Sequence, residues 1–274
     1  MQNILLRNNV NILGEGTKTI VFGHGFGCAQ NIWQLMIPYF EKDYRIVLFD
    51  YVGSGNSDFT AYDPERYKDL HGYAKDLLEI LDTLNIGPVI FVGHSVSGMI
   101  GLLASIQKPE YFESLIMLSP SPRYLNDKPA YYGGFDESDV KELLRMMEKS
   151  FIGWASLNAA GLMNNPDRPI LAKRLEDAFC AEDPLIMRNF AEATFLSDHR
   201  KDLPNVTVPS LIIQCSLDSV VPIEVGDYLH ENIKNSVLEV MESKGHYPNI
   251  SEPKKTTDII LKFLSSATST GKNL

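Results

Sequence analysis

Polar and apolar positions along the chain fall into two kinds of run. Short, largely apolar stretches rich in β-branched residues recur at 19–22, 45–50, 89–92, 114–118, 209–214 and 237–241, unbroken at 89–92. The unbroken run at 89–92 describes a strand covered on both faces. Between these stretches the apolar spacing changes to three and four, as at Leu77, Leu78, Leu81 and Leu84, and predicts helices over 31–40, 72–84 and 256–264. Strand and helix alternate, which implies a mostly parallel sheet with helices on both faces. Two further apolar runs at 4–6 and 10–13, parted by Asn8 and Asn9, predict an opening antiparallel hairpin and bring the sheet to eight strands.

The alternation fails after 118. From 121 to 199 the chain offers a turn-rich Tyr131-Tyr132-Gly133-Gly134 and then helical spacing only, with Val140, Leu143, Leu144, Met147 and Phe151 on one stripe. We therefore expect a core at 1–120, an inserted helical lid at 121–199 and a returning core segment at 200–274. An insertion there lies over the C-terminal edge of the sheet, where open α/β folds bind ligands. The Ser/Thr-rich tail at 265–274 is expected to be disordered.

Composition narrows the classes of partner. A formal net charge of −10 over 274 residues, with no basic stripe, excludes a nucleic-acid or anionic-membrane surface from the expected roles. Cys28, Cys180 and Cys215 are scattered without metal-ligand spacing, so buried thiols in a reducing compartment are expected. No signal segment or membrane-spanning run is visible, and a cytoplasmic protein without metal or cofactor is the expectation.

The chemistry gathers at strand ends. The run at 89–92 stops at Gly93-His94-Ser95-Val96-Ser97 and passes into a helix, so Ser95 sits at the tip of a sharp turn with small residues on either side. A serine so placed stands clear of the sheet, and the Val96 amide points from a helix N-terminus at any oxyanion formed there. The second glycine usual in this turn is replaced by Ser97. His24-Gly25-Phe26-Gly27 ends another strand and offers the amide of Phe26 as a second oxyanion donor. Asp218 and His246 follow two later strands, which completes a nucleophile, a base and an orienting carboxylate in the order Ser, Asp, His. Each residue singly also fits an ordinary turn or cap; their joint placement favours catalysis. Phe26, His94, Trp154 and Phe195 are expected to line the substrate pocket, although Trp154 and Phe195 could equally pack lid against lid. The loop 51–58 lacks the Lys-Ser/Thr of a phosphate cradle and reads as structural, as do His24, His71, His199 and His230.

These stretches, together with Asp50-Tyr51-Val52-Gly53-Ser54-Gly55, Leu125-Asn126-Asp127, Tyr132-Gly133-Gly134-Phe135 and Ser197-Asp198-His199-Arg200, resemble the α/β-hydrolases of the RsbQ type up to about residue 265. Those are bacterial relatives of the plant strigolactone and karrikin receptors. The resemblance implies a four-helix lid over a small hydrophobic pocket, the triad Ser95, His246 and Asp218, and an oxyanion hole at Phe26 and Val96. It also accommodates Ser97. It further implies a positive regulator of the general stress response acting with a PAS-domain serine phosphatase. The residues themselves support directly only a plain carboxylesterase for a small hydrophobic ester, and the signalling role is supported by the resemblance alone. The acidic Asp136, Glu137, Asp139 and Glu142 mark a candidate outer face for a partner, or ordinary charge at a helix N-terminus.

Overall fold

The computed structural model describes residues 3–270. Its sheet has seven strands: β1 (Asn11–Leu13), β2 (Lys18–Gly23), β3 (Tyr44–Leu48), β4 (Val89–His94), β5 (Phe112–Leu118), β6 (Ser210–Leu217) and β7 (Ser236–Lys244). They lie in the order β1-β3-β2-β4-β5-β6-β7, all neighbours parallel except β1 against β3. From β2 the chain winds outward to β3, then returns beyond β2 to lay down β4, β5 and β6. The winding reverses between β2 and β4, so a crevice opens at their adjacent C-terminal ends. Every residue of β4 is buried, as a strand covered on both faces requires.

The helices are α1 (Ile4–Arg7), α2 (Leu70–Leu84), α3 (Val96–Gln107), α4 (Glu137–Lys149), α5 (Phe151–Met163), α6 (Pro169–Cys180), α7 (Pro184–Phe195), α8 (Ile223–Asn232), α9 (Pro248–Ser251) and α10 (Pro253–Thr270). None among the described residues is long and apolar enough to cross a membrane. Where α1 and α2 meet, the wholly buried Asp76 carboxylate binds Arg7 at 3.1 Å and Arg66 at 2.5 Å.

Four expectations need correction. The run at 4–6 is a helical turn, not a strand, and this removes the eighth strand. Asn3 accepts the amides of Leu5 and Leu6 at 3.1 and 3.3 Å, which starts a helix that three apolar residues could not announce. The helix predicted at 31–40 is two short 3₁₀ turns, Gln30–Trp33 and Ile37–Tyr39. Pro38 supplies no amide and disfavours helical backbone at Ile37. In the tail, α10 runs to Thr270, with Ser265 and Ser266 hydroxyls donating to the carbonyls of Lys262 and Phe263; positions 271–274 lie outside the described residues. Cys28 and Cys215 are buried, but Cys180 at the end of α6 is exposed because it faces away from the insert's interior.

Helices α4 to α7 form the insert. Asp136 and Asp139 close a capping box on α4, Ser150 caps α5 through the Gly153 amide, and Asp183 caps α7. Glu137 pairs with Lys141 and Glu142 with Arg145 within the helix, whereas Asp136 reaches Asn126 and Lys128 outside it. Val140, Leu144 and Met147 are buried on the opposite side. The insert leaves and rejoins the core at one place. His199 donates its amide to the Pro122 carbonyl at 2.8 Å, and the Arg123 guanidinium binds Asp198 at 2.7 Å. Arg200 then bridges Asp198 and Asp127 at 2.7 and 3.0 Å. The stretches 125–127 and 197–200 thus serve as the stitching of the insert, helped by Asn126, whose Oδ1 accepts the Gly133 and Gly134 amides.

Candidate active site

Ser95 stands between β4 and α3 with φ 54° and ψ −121°, a conformation a non-glycine residue holds only under constraint. The constraint is visible. Its amide donates to the Leu118 carbonyl at 2.8 Å, and a Cβ on Gly93 would lie 2.5 Å from the Ser97 carbonyl oxygen, so only glycine lets strand and helix approach this closely. Ser97, which stands where a second glycine is usual, has a use: its hydroxyl donates to the His24 carbonyl at 2.5 Å and shares a 2.8 Å hydrogen bond with the Tyr51 hydroxyl. The start of α3 is thereby fastened to the loop after β2.

Three strand ends supply the rest. Ser95 Oγ lies 2.8 Å from His246 Nε2, and His246 Nδ1 lies 2.9 and 3.0 Å from the two oxygens of Asp218. The Asp218 side chain is fully buried, and its Oδ1 also accepts the amides of Val220 and Val221 at 2.8 and 3.0 Å. A carboxylate only accepts, so the ring proton sits on Nδ1 and Nε2 presents its lone pair to the serine hydroxyl. The arrangement can move a proton from Ser95 to His246 and stabilise the imidazolium that results. Val96 opens α3, and its amide has no acceptor within the helix. Phe26 lies across the crevice on the loop after β2, beside Ser95 on the same cavity.

That cavity measures about 150 Å³ and lies between the sheet edge and the insert. This is room for a ligand of about one small ring. Phe26, Trp154, Phe179 and Phe195 make its apolar wall, with Phe26 at the centre: its ring centroid is 6.0 Å from Trp154, 6.4 Å from Phe179 and 6.1 Å from Phe195. Burial of an unpaired charge against such a wall would be costly.

His94 does not line the cavity. Its wholly buried imidazole lies underneath, donating from Nε2 to the His246 carbonyl at 2.8 Å, and a Cβ on Gly25 would fall 2.4 Å from its Nδ1. Burial, with the neighbouring His246, pushes its pKa down to about 3, so the ring is neutral. It joins the loop bearing Phe26 to the loop bearing His246. His24 plays a related part, its Nε2 accepting the Tyr51 amide at 3.1 Å.

Several wall residues escaped the sequence reading. Tyr124, buried just after β5, places its hydroxyl 3.3 Å from Ser95 Oγ, and burial raises its pKa so that it remains a phenol. Asn158 lies four residues after Trp154 and Thr194 four after Phe190, so the helical period that marked the aromatics also carried these two. Among the described residues no group of three or more His, Cys, Asp or Glu side chains is placed to hold a metal ion.

The family described as alpha/beta hydrolase fold matches residues 18–253. The chain is 39% identical to the Karrikin insensitive 2 receptor CA of Petunia hybrida, over 94% of this chain and 95% of that protein. It is 36% identical to a strigolactone esterase of Arabidopsis thaliana, over 96% of this chain and 98% of the other. Among solved structures, a hydrolase from Oleispira antarctica superposes with a TM-score of 0.94 at 41% identity, covering 96% of each chain.

Proposed function

The chain belongs to the alpha/beta hydrolase family, and from that premise we propose that it hydrolyses small, uncharged, hydrophobic esters in the cytoplasm through Ser95, His246 and Asp218. The observation that carries the reading is the unbroken chain of hydrogen bonds from Ser95 Oγ through His246 to Asp218 at the edge of a largely apolar cavity. His246 takes the serine proton as Oγ attacks the ester carbonyl, and the amides of Phe26 and Val96 receive the oxyanion. The imidazolium returns its proton to the departing alcohol. Water, activated by the same imidazole, then releases the acid from the acyl-serine.

The test is direct. A fluorophosphonate should label the parent and not Ser95→Ala, and Ser95→Ala or His246→Ala should lower ester turnover by roughly four to six decades. Turnover within tenfold of the parent would remove Ser95 from the mechanism.

A second reading is signalling, in which the chain acts as an RsbQ-type positive regulator of the bacterial general stress response with a PAS-domain serine phosphatase. What favours it is similarity at comparable identity both to a protein named a receptor and to one named an esterase. Titration calorimetry against such a phosphatase tests it. Absence of binding with and without a hydrolysable ester would leave the plain carboxylesterase.

A further inference from the structure

Of the hydroxyls on the cavity wall, Thr194 is the one buried without a hydrogen-bond partner among the described residues. Ser95 is bonded to His246, and Tyr124 to Ser95. Asn158 donates from Nδ2 to the Trp154 carbonyl at 2.8 Å, and Ser219 donates to the Leu162 carbonyl at 3.1 Å. Thr194 is different. It lines the cavity near the end of α7, is 1% exposed, and its Oγ1 has no hydrogen-bond partner. A threonine inside a helix ordinarily satisfies its hydroxyl on the carbonyl three or four residues back, and here it does not. Leaving a buried hydroxyl unpaired is costly, whereas a valine would fill the same volume without that cost. A ligand filling the cavity would supply the partner that this hydroxyl lacks.

Resting on the ester-hydrolase reading above, we propose that the ligand carries a second oxygen, a carbonyl or ether remote from the scissile bond, and that Thr194 recognises it by donating its hydroxyl. The substrate class is then a small neutral ester or lactone with an additional oxygen acceptor, and Thr194 is the residue that separates it from an all-carbon ester of the same shape. A site built to hydrogen-bond a substrate group discriminates against the analogue that lacks it, because its own polar atom is left unpaired.

The experiment uses two nearly isosteric pairs of 4-nitrophenyl esters: 4-oxopentanoate against 4-methylpentanoate, and methoxyacetate against butanoate. For each pair the ratio of kcat/KM values, oxygen-bearing over all-carbon, is measured in the parent, Thr194→Val and Thr194→Ser, with fluorophosphonate labelling counting the active sites of each variant. Intrinsic ester reactivity cancels when ratios are compared between variants. The expected result is a ratio at least about tenfold lower in Thr194→Val for one pair or both, and close to the parent's in Thr194→Ser. An unchanged ratio in Thr194→Val for both pairs, or an equal loss in Thr194→Ser, overturns the proposal while leaving the esterase reading intact. A parent that neither labels at Ser95 nor turns over any of the four esters overturns both.

Discussion

Glu182, in the turn between α6 and α7, lays its buried carboxyl against the core, where both oxygens lie 3.1 to 3.2 Å from the Gly55 amide. Burial pushes its pKa up to about 8; the Gly55 amide opposes the rise, and the Asp50 carboxylate adds to it. Asp50 and the Cys28 thiol are the titratable groups that face it. The folded protein therefore holds a proton on Glu182 that the unfolded chain, titrating near 4.5, has released. Below the unfolded value both states are protonated. As the pH rises from there through about 8 the folded state loses this advantage, and stability falls. At about 1.4 kcal/mol per pH unit the gap corresponds to roughly 5 kcal/mol. Glu182→Gln keeps the shape and cannot ionise. Its melting temperature relative to the parent should rise between pH 5 and pH 9 by roughly 10 °C, taking about 2–4 °C per kcal/mol for a domain of this size. Paired calorimetric scans at the two pH values measure it. A difference between variant and parent that is the same at both would show that Glu182 is not held protonated in the fold.

Asp218→Asn should lower kcat by about four decades with little change in fold, because an amide in that place no longer fixes the Nδ1–H tautomer of His246; steady-state rates beside a circular-dichroism spectrum decide it. Gly25→Ala should lower kcat by about a hundredfold, since its Cβ would meet His94 Nδ1 at 2.4 Å and must displace either the ring or the loop bearing Phe26. Undiminished turnover would show that this contact relaxes without consequence. Asp76→Ala should destabilise by about 3–5 kcal/mol in urea unfolding, because it removes the buried carboxylate shared by Arg7 and Arg66. Acetyl esters should be cleaved far faster than palmitoyl esters, and equal rates would exclude an enclosed cavity of about 150 Å³.

The parts of the fold legible from sequence were those with a long signal. Strands such as β4, buried on both faces, are apolar without interruption, and Ser95, Asp218 and His246 declare themselves by following strand ends. Signals of three or four residues misled. Ile4–Leu6 is apolar whether strand or helix, and Asn3 decided for the helix through hydrogen bonds that no periodicity records. His94 adjoins the nucleophile in sequence, yet it is the last residue of β4 while Ser95 already belongs to the turn, and tertiary contact with the His246 carbonyl, which no local pattern records, holds its ring beneath the cavity. Thr194 and Asn158 lay within readable helices, yet a polar residue among aromatics becomes informative only when its hydrogen-bond partners can be counted. Tyr124 belongs to a segment without periodicity, and only tertiary contact brings it to Ser95.

The joint between insert and core has a consequence for how such chains diversify. Because Arg123 and Asp198 meet side by side, everything between them is topologically a single loop anchored at two neighbouring points. Lengthening or replacing a loop whose ends are already held together changes its closure entropy only logarithmically. The sheet would barely register the exchange of one set of helices for another. Recombination or duplication at this seam can therefore give the same sheet a different set of covering helices, with Phe26 and the strand-end residues as the constant floor of whatever chamber results.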